Sequence, residues 1–385
     1  MKIIFIITDF GSFNNFLSEL SVQLSKNKNV KLFVICNLDK VILLKDKYNY
    51  EDLNIKFHFV NIPRKVNLFS ILSSARQINL IINSIKPDII HAHFTTGIFP
   101  SVLLKKRKFK YWGTFHGLGM NSSKGLKKII FTLVETFCFF RLDKIFVTNE
   151  IDFKYVINLG FAQKTLKYKC FGFGCDLLDF NKDRFSIDII NETKKELNII
   201  GEKVIVYTGR FVEFKGFDLV IKAFLRLIKI EPNGYKLLII GGYDIIHSTG
   251  LSENEEIELK NNLDIINIGF TNNVAKFLAI ADFFLFPSKK EGLPTCVMES
   301  LAMGIPTIVS NSRGSMDLIE NRINGILIDE QQDTENEINC IIQTIFEINS
   351  KPQFANDLRN NSLKRRHQYS RNLFIDEHVN YYLNN

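Results

Sequence analysis

At 385 residues the chain is longer than one compact core spans, so two domains are expected. Apolar residues make up 46%, ample for real cores, while no apolar run reaches the roughly 18 residues of a membrane span. The net charge is +8, and the six cysteines show neither a C-x-x-C pair nor metal-ligand spacing, so reduced thiols in a cytosolic protein are expected.

MKIIFIITDFGS opens the chain. Its apolar run of about five residues ends in Asp9 without a cleavage-like pattern, so it reads as a buried strand and not as a signal peptide. KIIFIIT, VKLFVIC, IKFHFV, DIIHAH, KYWGTF, KIFVT and LKYKCFG read as strands, with helices such as NFLSELSVQLSK and LFSILSSARQINLIINSI between them. GFGCDLLDFNKDRFS, residues 172–186, breaks the alternation as a linker. A second series follows: EKVIVYTGR, YKLLIIGG, LDIINIGF, DFFLFPS, IPTIVS and NGILID. Strands alternating with longer amphipathic runs predict parallel sheets with crossover helices. The expected fold is α/β, with two doubly wound domains of similar size, 1–183 and 184–365, facing each other across a cleft. The tail is helical and polar-aromatic.

The charge is unevenly spread. Residues 89–134 contain no acid, yet hold Lys105, Lys106, Arg107, Lys108, Lys110, Lys124, Lys127 and Lys128. A basic face beside the apolar IIFTLVETFCFF suits an anionic membrane surface or an anionic acceptor. The plain alternative is a solvated lysine-rich face. No nucleic-acid module is present, so nucleic acid is not the expected partner.

Two stretches carry chemistry. VIVYTG ends in Arg210, and Lys215-Gly216 then open an amphipathic helix with Asp218 in its first turn. Two cations at a strand end and a helix start suit a diphosphate, each charge-assisted hydrogen bond contributing about 1.5–3 kcal/mol; surface salt bridges are the alternative. In EGLPTCVMESLAMGIPTIVS, a Glu291-Gly292-Leu293-Pro294 loop follows a strand. Pro294 is expected at the first helical position and Gly304 after the last turn. Glu299, near the positive helix end, can accept hydrogen bonds from vicinal hydroxyls such as those of a ribose. Glu291 reaches other hydroxyls, and the N–H groups of residues 293–296 remain for phosphate. The alternative is an acid stabilising its own helix beside an exposed loop glutamate. His116, in GTFHGLG, stands at a strand end. His91 and His93 could bind metal as an i, i+2 pair, but a third ligand and a D-x-D motif are missing, so no metal is expected.

Taken in order and at these spacings, the chain resembles the GT-B retaining glycosyltransferases of family 4, the glycosyl transferases group 1 type. The residues that carry this are GRFVEFKG (209–216), the E-x7-E motif EGLPTCVME (291–299) after FPS, SLAMGIPTIVS, NSRGSMDLIENRINGILID (311–329) and GFGCDLLDF. TDFGS, DIIHAHF and TFHG match more loosely. The resemblance implies that Arg210 and Lys215 hold the donor diphosphate and stabilise it as it leaves, and that Glu299 binds the ribose. Glu291 would contact the donor sugar, and the backbone of Gly292, Leu293, Pro294 and Thr295 would line its pocket. Phe270 and Thr271 would lie near the base, with Gly11 beside the donor phosphates in a glycine turn. It also implies that His116 is the active-site histidine, while His93 and Ser12 face the acceptor. Ser312-Arg313-Gly314 departs from the family's glycine pair and offers Arg313 as an extra anion contact. A helix over 366–385 would pack back on the first domain.

The implied activity is transfer, with retention and without metal or other cofactor, from a nucleotide-diphosphate sugar to a glycan or polyprenyl-diphosphate-linked acceptor. Its setting would be bacterial capsule, O-antigen or exopolysaccharide assembly, peripheral at the cytoplasmic face of the membrane. Front-face attack is implied, with Glu291 the carboxylate to test as a covalent nucleophile. Two other readings are a nucleotide-sugar epimerase, whose His-Val-Glu-Ala-Gly motif is missing, and a non-catalytic nucleotide-sugar-binding protein. Hydride transfer is disfavoured, because no G-x-G-x-x-G follows the first strand.

Overall fold

A computed structural model describes residues 1–38, 48–64, 67–106, 108–244, 247–331 and 333–384. Arg107 of the basic run lies outside the described residues. The chain divides into two compact units, Met1–Phe173 with Phe374–Asn385, and Gly174–Leu373.

Among the described residues of the first unit, seven strands form one parallel sheet. They are β1 (Lys2–Asp9), β2 (Lys31–Asn37), β3 (Ile55–Phe59), β4 (Ile89–His93), β5 (Lys110–Phe115), β6 (Lys144–Val147) and β7 (Thr165–Lys167), in the order β3-β2-β1-β4-β5-β6-β7. A parallel sheet covered on both faces needs strands that are apolar on both sides. β1 meets this need by alternation. Ile4 and Ile6 enter one core with Ile78 and Ile82 of the Leu68–Ile85 helix, while Ile3, Phe5 and Ile7 enter the other with Phe374 and Tyr382 of the Arg371–Leu383 helix. LKYKCFG is a strand only to Lys167, because the N–H groups of Lys169 and Cys170 donate to the Glu377 carboxylate (3.0 and 3.3 Å).

In the second unit the described strands are β8 (Lys203–Phe211), β9 (Tyr235–Tyr243), β10 (Ile265–Gly269), β11 (Phe283–Phe286), β12 (Thr307–Ser310) and β13 (Ile326–Ile328), parallel in the order β10-β9-β8-β11-β12-β13. The units part at 173/174, ten residues before the expected 183/184. The 174–184 segment is tied to the second unit: Cys175 N–H donates to Tyr369 O at 2.7 Å, and Arg366 donates to Phe180 O at 3.1 Å. For the same reason residues 366–373 stay with the second unit, and the return to the first begins at Phe374.

Strand order reverses between β1 and β4 in one sheet and between β8 and β11 in the other. Ligands of open α/β sheets bind outside the carboxyl ends of strands at such points.

Candidate active site

At the β8/β11 reversal, β8 leads through a turn, Glu213–Lys215, into the Phe217–Ile230 helix. Gly216 joins them at φ +71°, and a Cβ there would lie 2.2 Å from Pro287 O, so only glycine lets this turn press against the end of β11. That contact brings Lys215 to Glu291: Nζ donates to Oε1 at 2.6 Å, and Ser288 Oγ donates to the same oxygen at 2.6 Å. Glu291 is buried, and its charge is met by a cation and a hydroxyl. Arg313 Nε donates to Glu291 O at 2.9 Å, and Ser312 Oγ to Ser288 O at 2.7 Å, so the departure from the family's glycine pair braces the loop. Gly314, at φ +82°, sits where a Cβ would be 2.4 Å from Gly292 O.

The helix after this loop is Thr295–Ala302. Pro294 is its N-cap in extended conformation (φ −76°, ψ 116°) and not the first helical residue as expected; its ψ lies outside the helical range. Pro294 gives the first turn no side-chain cap, so its N–H groups suit an anion. Glu299 follows, partly exposed. Loss of hydration pushes its carboxyl up to about 7, against the pull of the Arg371 guanidinium. Burial first, then the charges of Glu291 and Glu299, push the Cys296 thiol up, with Lys215 opposing. Three of the four charged residues singled out from the sequence thus gather around Cys296.

Arg210 is held differently. Its guanidinium bonds to the Asp244 carboxylate and lies 5.3 Å from the Phe214 ring centroid. Asp244 also meets His247 Nδ1 at 3.3 Å. Tyr207 OH donates to Arg210 O at 2.8 Å; burial first, then the neighbouring Cys296 and Glu291, push that hydroxyl up, with Arg210 opposing. Phe270 stands 75% exposed just after β10, and Thr271 Oγ1 accepts from Asn273 N–H at 3.0 Å. β10 lies two strands from β8, about 10 Å away.

At the β1/β4 reversal, Gly11 departs from expectation. It is the buried second residue of the Phe10–Phe16 helix and not part of a turn, because Asp9 caps that helix directly from the end of β1. Asp9 accepts from Ser12 N–H (2.9 Å), Ser12 Oγ (3.1 Å) and Arg64 (2.6 Å). His93 ends β4, and Phe94 follows at φ +61°, an outlier for a bulky residue. His116 follows β5. The two imidazoles stack, with His93 Nδ1 3.2 Å from His116 Nε2, and Phe173 stacks on His116 at 4.7 Å. Burial takes His116 down to about 3 and His93 well below its ordinary value, so both rings are neutral at physiological pH. His93 Nε2 and His116 Nδ1 are buried without a hydrogen-bond partner among the described residues. Both nitrogens of His91 are engaged, one by Tyr382 OH and the other by Thr114 Oγ1 at 2.7 Å. Among the described residues no three His, Cys, Asp or Glu side chains gather to hold a metal.

The profile described as Glycosyl transferases group 1 matches residues 189–365, and that described as Glycosyl transferase 4-like matches residues 2–149. The chain belongs to the group 1 glycosyltransferases. This glycosyltransferase is 24% identical over 314 residues to the capsular polysaccharide biosynthesis glycosyltransferase CapM of Staphylococcus aureus, covering 80% of this chain and 79% of CapM. It is 24% identical over 346 residues to the UDP-Gal:alpha-D-GlcNAc-diphosphoundecaprenol alpha-1,3-galactosyltransferase of Escherichia coli, covering 86% and 87%. The structure of HepE from Anabaena, solved with UDP, matches all of both chains with a TM-score of 0.76 at 15% identity. That likeness shows the fold, GT-B, built from two Rossmann-like units.

Two carboxylates of the glycosyltransferase that touch this machinery went unread in the sequence. Asp244, on Arg210, follows β9, whose register sets Arg210 opposite Gly242. Glu135 is fully buried and accepts from Gly119 N–H (2.8 Å), Met120 N–H (3.1 Å) and Thr95 Oγ1 (2.7 Å), so it fixes the loop after His116. Its one signal was a lone acid in an apolar run.

Proposed function

We propose that this glycosyltransferase moves a sugar, with retention, from a nucleotide-sugar donor to a glycan or polyprenyl-diphosphate-linked acceptor in bacterial surface polysaccharide assembly. The carrying observation is the convergence of Lys215, Glu291, Glu299 and an uncapped helix start at the β8/β11 reversal. The bond from the anomeric carbon to the donor phosphate breaks, and one to an acceptor hydroxyl oxygen forms. The hydroxyl proton passes to the departing diphosphate. Negative charge builds on that diphosphate, and Lys215 with the N–H groups at the start of the Thr295–Ala302 helix stabilises it without a metal; fixed donors aimed at developing charge supply large catalytic terms. Arg210 joins by exchanging Asp244 for phosphate. Glu299 accepts from the ribose and Glu291 from the sugar. Phe270 and Thr271 border the base, and the backbone of Gly292, Leu293, Pro294 and Thr295 lines the sugar pocket. His116, a neutral imidazole, exchanges a hydrogen bond with a sugar hydroxyl. His93, Ser12 and Gly11 serve the acceptor end and the donor phosphates. The names of the two curated relatives support a capsule or lipid-linked pathway, and the enzyme works peripherally at the inner face of the cell membrane.

The test is a panel of nucleotide sugars scored for thermal stabilisation with and without chelator. Product analysis with lipid-linked acceptors, including the anomeric configuration formed, then follows. Stabilisation by at least one donor and an unchanged response to chelator are expected. Silence across the panel, or strict dependence on added metal, overturns the reading.

A further inference from the structure

The Gly125–Arg141 helix is apolar on two sides. Its inner side buries Glu135, Cys138 and Phe139. Its outer side carries Leu126, Ile129, Ile130, Leu133, Phe137 and Phe140, spaced as one helical stripe and all exposed, with Leu126 and Phe140 at 71%. A solvated helix face normally carries charge. Here the exposed charges sit at one end, on Lys124, Lys127 and Lys128; at the other end Arg141 is partly buried and donates to Val102 O and Lys105 O, and the helix's one acid, Glu135, faces inward with no exposed surface. A second copy docking in parallel along the stripe would set these lysines against their own counterparts, and one docking antiparallel would offer them no acid, since the helix's one acid is buried. Anionic lipid headgroups would complement the lysines while the stripe enters the acyl boundary. No described helix is long and apolar enough to cross a membrane, so the contact would lie in the interfacial plane.

We propose that this helix lies in the surface of an anionic bilayer along that stripe. The consequence for the acceptor rests on the transferase reading above. Glu135 holds Gly119 and Met120 from the opposite side of the same helix, so the loop after His116 sits about one helix diameter, 10–12 Å, from the lipid face. A saccharide on a membrane-anchored diphosphate is presented at that depth.

The experiment mixes the full chain with phosphatidylcholine vesicles with and without phosphatidylglycerol and measures co-flotation. The wild type is expected to float with the anionic vesicles, and the variant Leu133→Glu/Phe140→Glu to lose at least ten-fold in binding while keeping its thermal shift with nucleotide sugar. Leu133→Trp supplies a second readout, a blue shift of its fluorescence on anionic vesicles alone. Equal flotation of wild type and the double variant, or no blue shift, overturns the proposal. So does a stripe-dependent dimer in sedimentation without lipid. Flotation needs no donor, so failure of the transferase reading appears separately, as silence in the nucleotide-sugar panel.

Discussion

Lys215 Nζ meets Glu291 Oε1 at 2.6 Å and so joins the carboxyl ends of β8 and β11 through side chains only 20% and 8% exposed. The pair is structural as well as functional. Lys215→Ala leaves a sunken carboxylate that keeps the Ser288 hydroxyl but loses its cation, a loss of about 1–3 kcal/mol. Thermal unfolding should show Lys215→Ala clearly destabilised, and Lys215→Ala/Glu291→Gln partly restored. Equal melting of the single and double variants would show that the two side chains are not coupled.

Arg210 behaves in the opposite way. Its side chain is half exposed, so losing its pairing with Asp244 should change stability by less than about 1 kcal/mol. Arg210→Ala should instead weaken binding of a nucleoside diphosphate about ten-fold or more. Asp244→Asn, which frees the guanidinium, should tighten it. Calorimetric titration of the three proteins decides; unchanged affinity in Arg210→Ala removes the residue from the diphosphate site.

The Glu299 carboxyl, raised from 4.5 to about 7, gives the protein a pH signature. Ribose hydroxyls donate to the ionised form, so nucleotide-sugar affinity should rise as pH passes upward through about 7, and Glu299→Gln should flatten the curve. For stability the sign reverses. The raised value favours the folded state fully below 4.5, and that contribution is lost as pH rises through about 7. In the binding curve His116, at about 3 in the folded protein, adds no step between about pH 5 and 8. In stability it does contribute, because the unfolded imidazole takes up a proton that the buried ring refuses, so stability falls as pH drops below 6.5. A binding step that survives in Glu299→Gln and vanishes in His116→Ala would reverse the two assignments.

His116→Ala should cut transfer about 100-fold, the scale of losing one aimed hydrogen bond. The thermal shift with nucleoside diphosphate should stay at its wild-type size. Wild-type rates would exclude the residue from the reaction.

Much of the fold was legible because parallel strands buried on both faces must be apolar runs. DFFLFPS and IPTIVS contain β11 and β12, and LFSILSSARQINLIINSI spans the Leu68–Ile85 helix end to end. Lys215, Glu291 and Glu299 stood out because short motifs place them near a helix start. Their partners did not. Asp244 reaches Arg210 through strand pairing, Arg64 reaches Asp9 from 55 residues away, and Glu135 closes a loop that precedes it. Each contact is set by tertiary neighbours that no local pattern encodes. The domain boundary was misplaced for a similar reason, since hydrogen bonds from Cys175 and Arg366 decide where the linker belongs.

Phe374, Ile375 and Tyr382 complete one of the two cores of the first unit, and Tyr382 bonds to His91. During synthesis, therefore, the segment made first is the one finished last. The contiguous second unit has every residue it needs once Leu373 has emerged from the ribosome, while the earlier sheet waits with one face only partly covered, by the Phe10–Phe16 and Ser18–Ser25 helices, until the Arg371–Leu383 helix arrives.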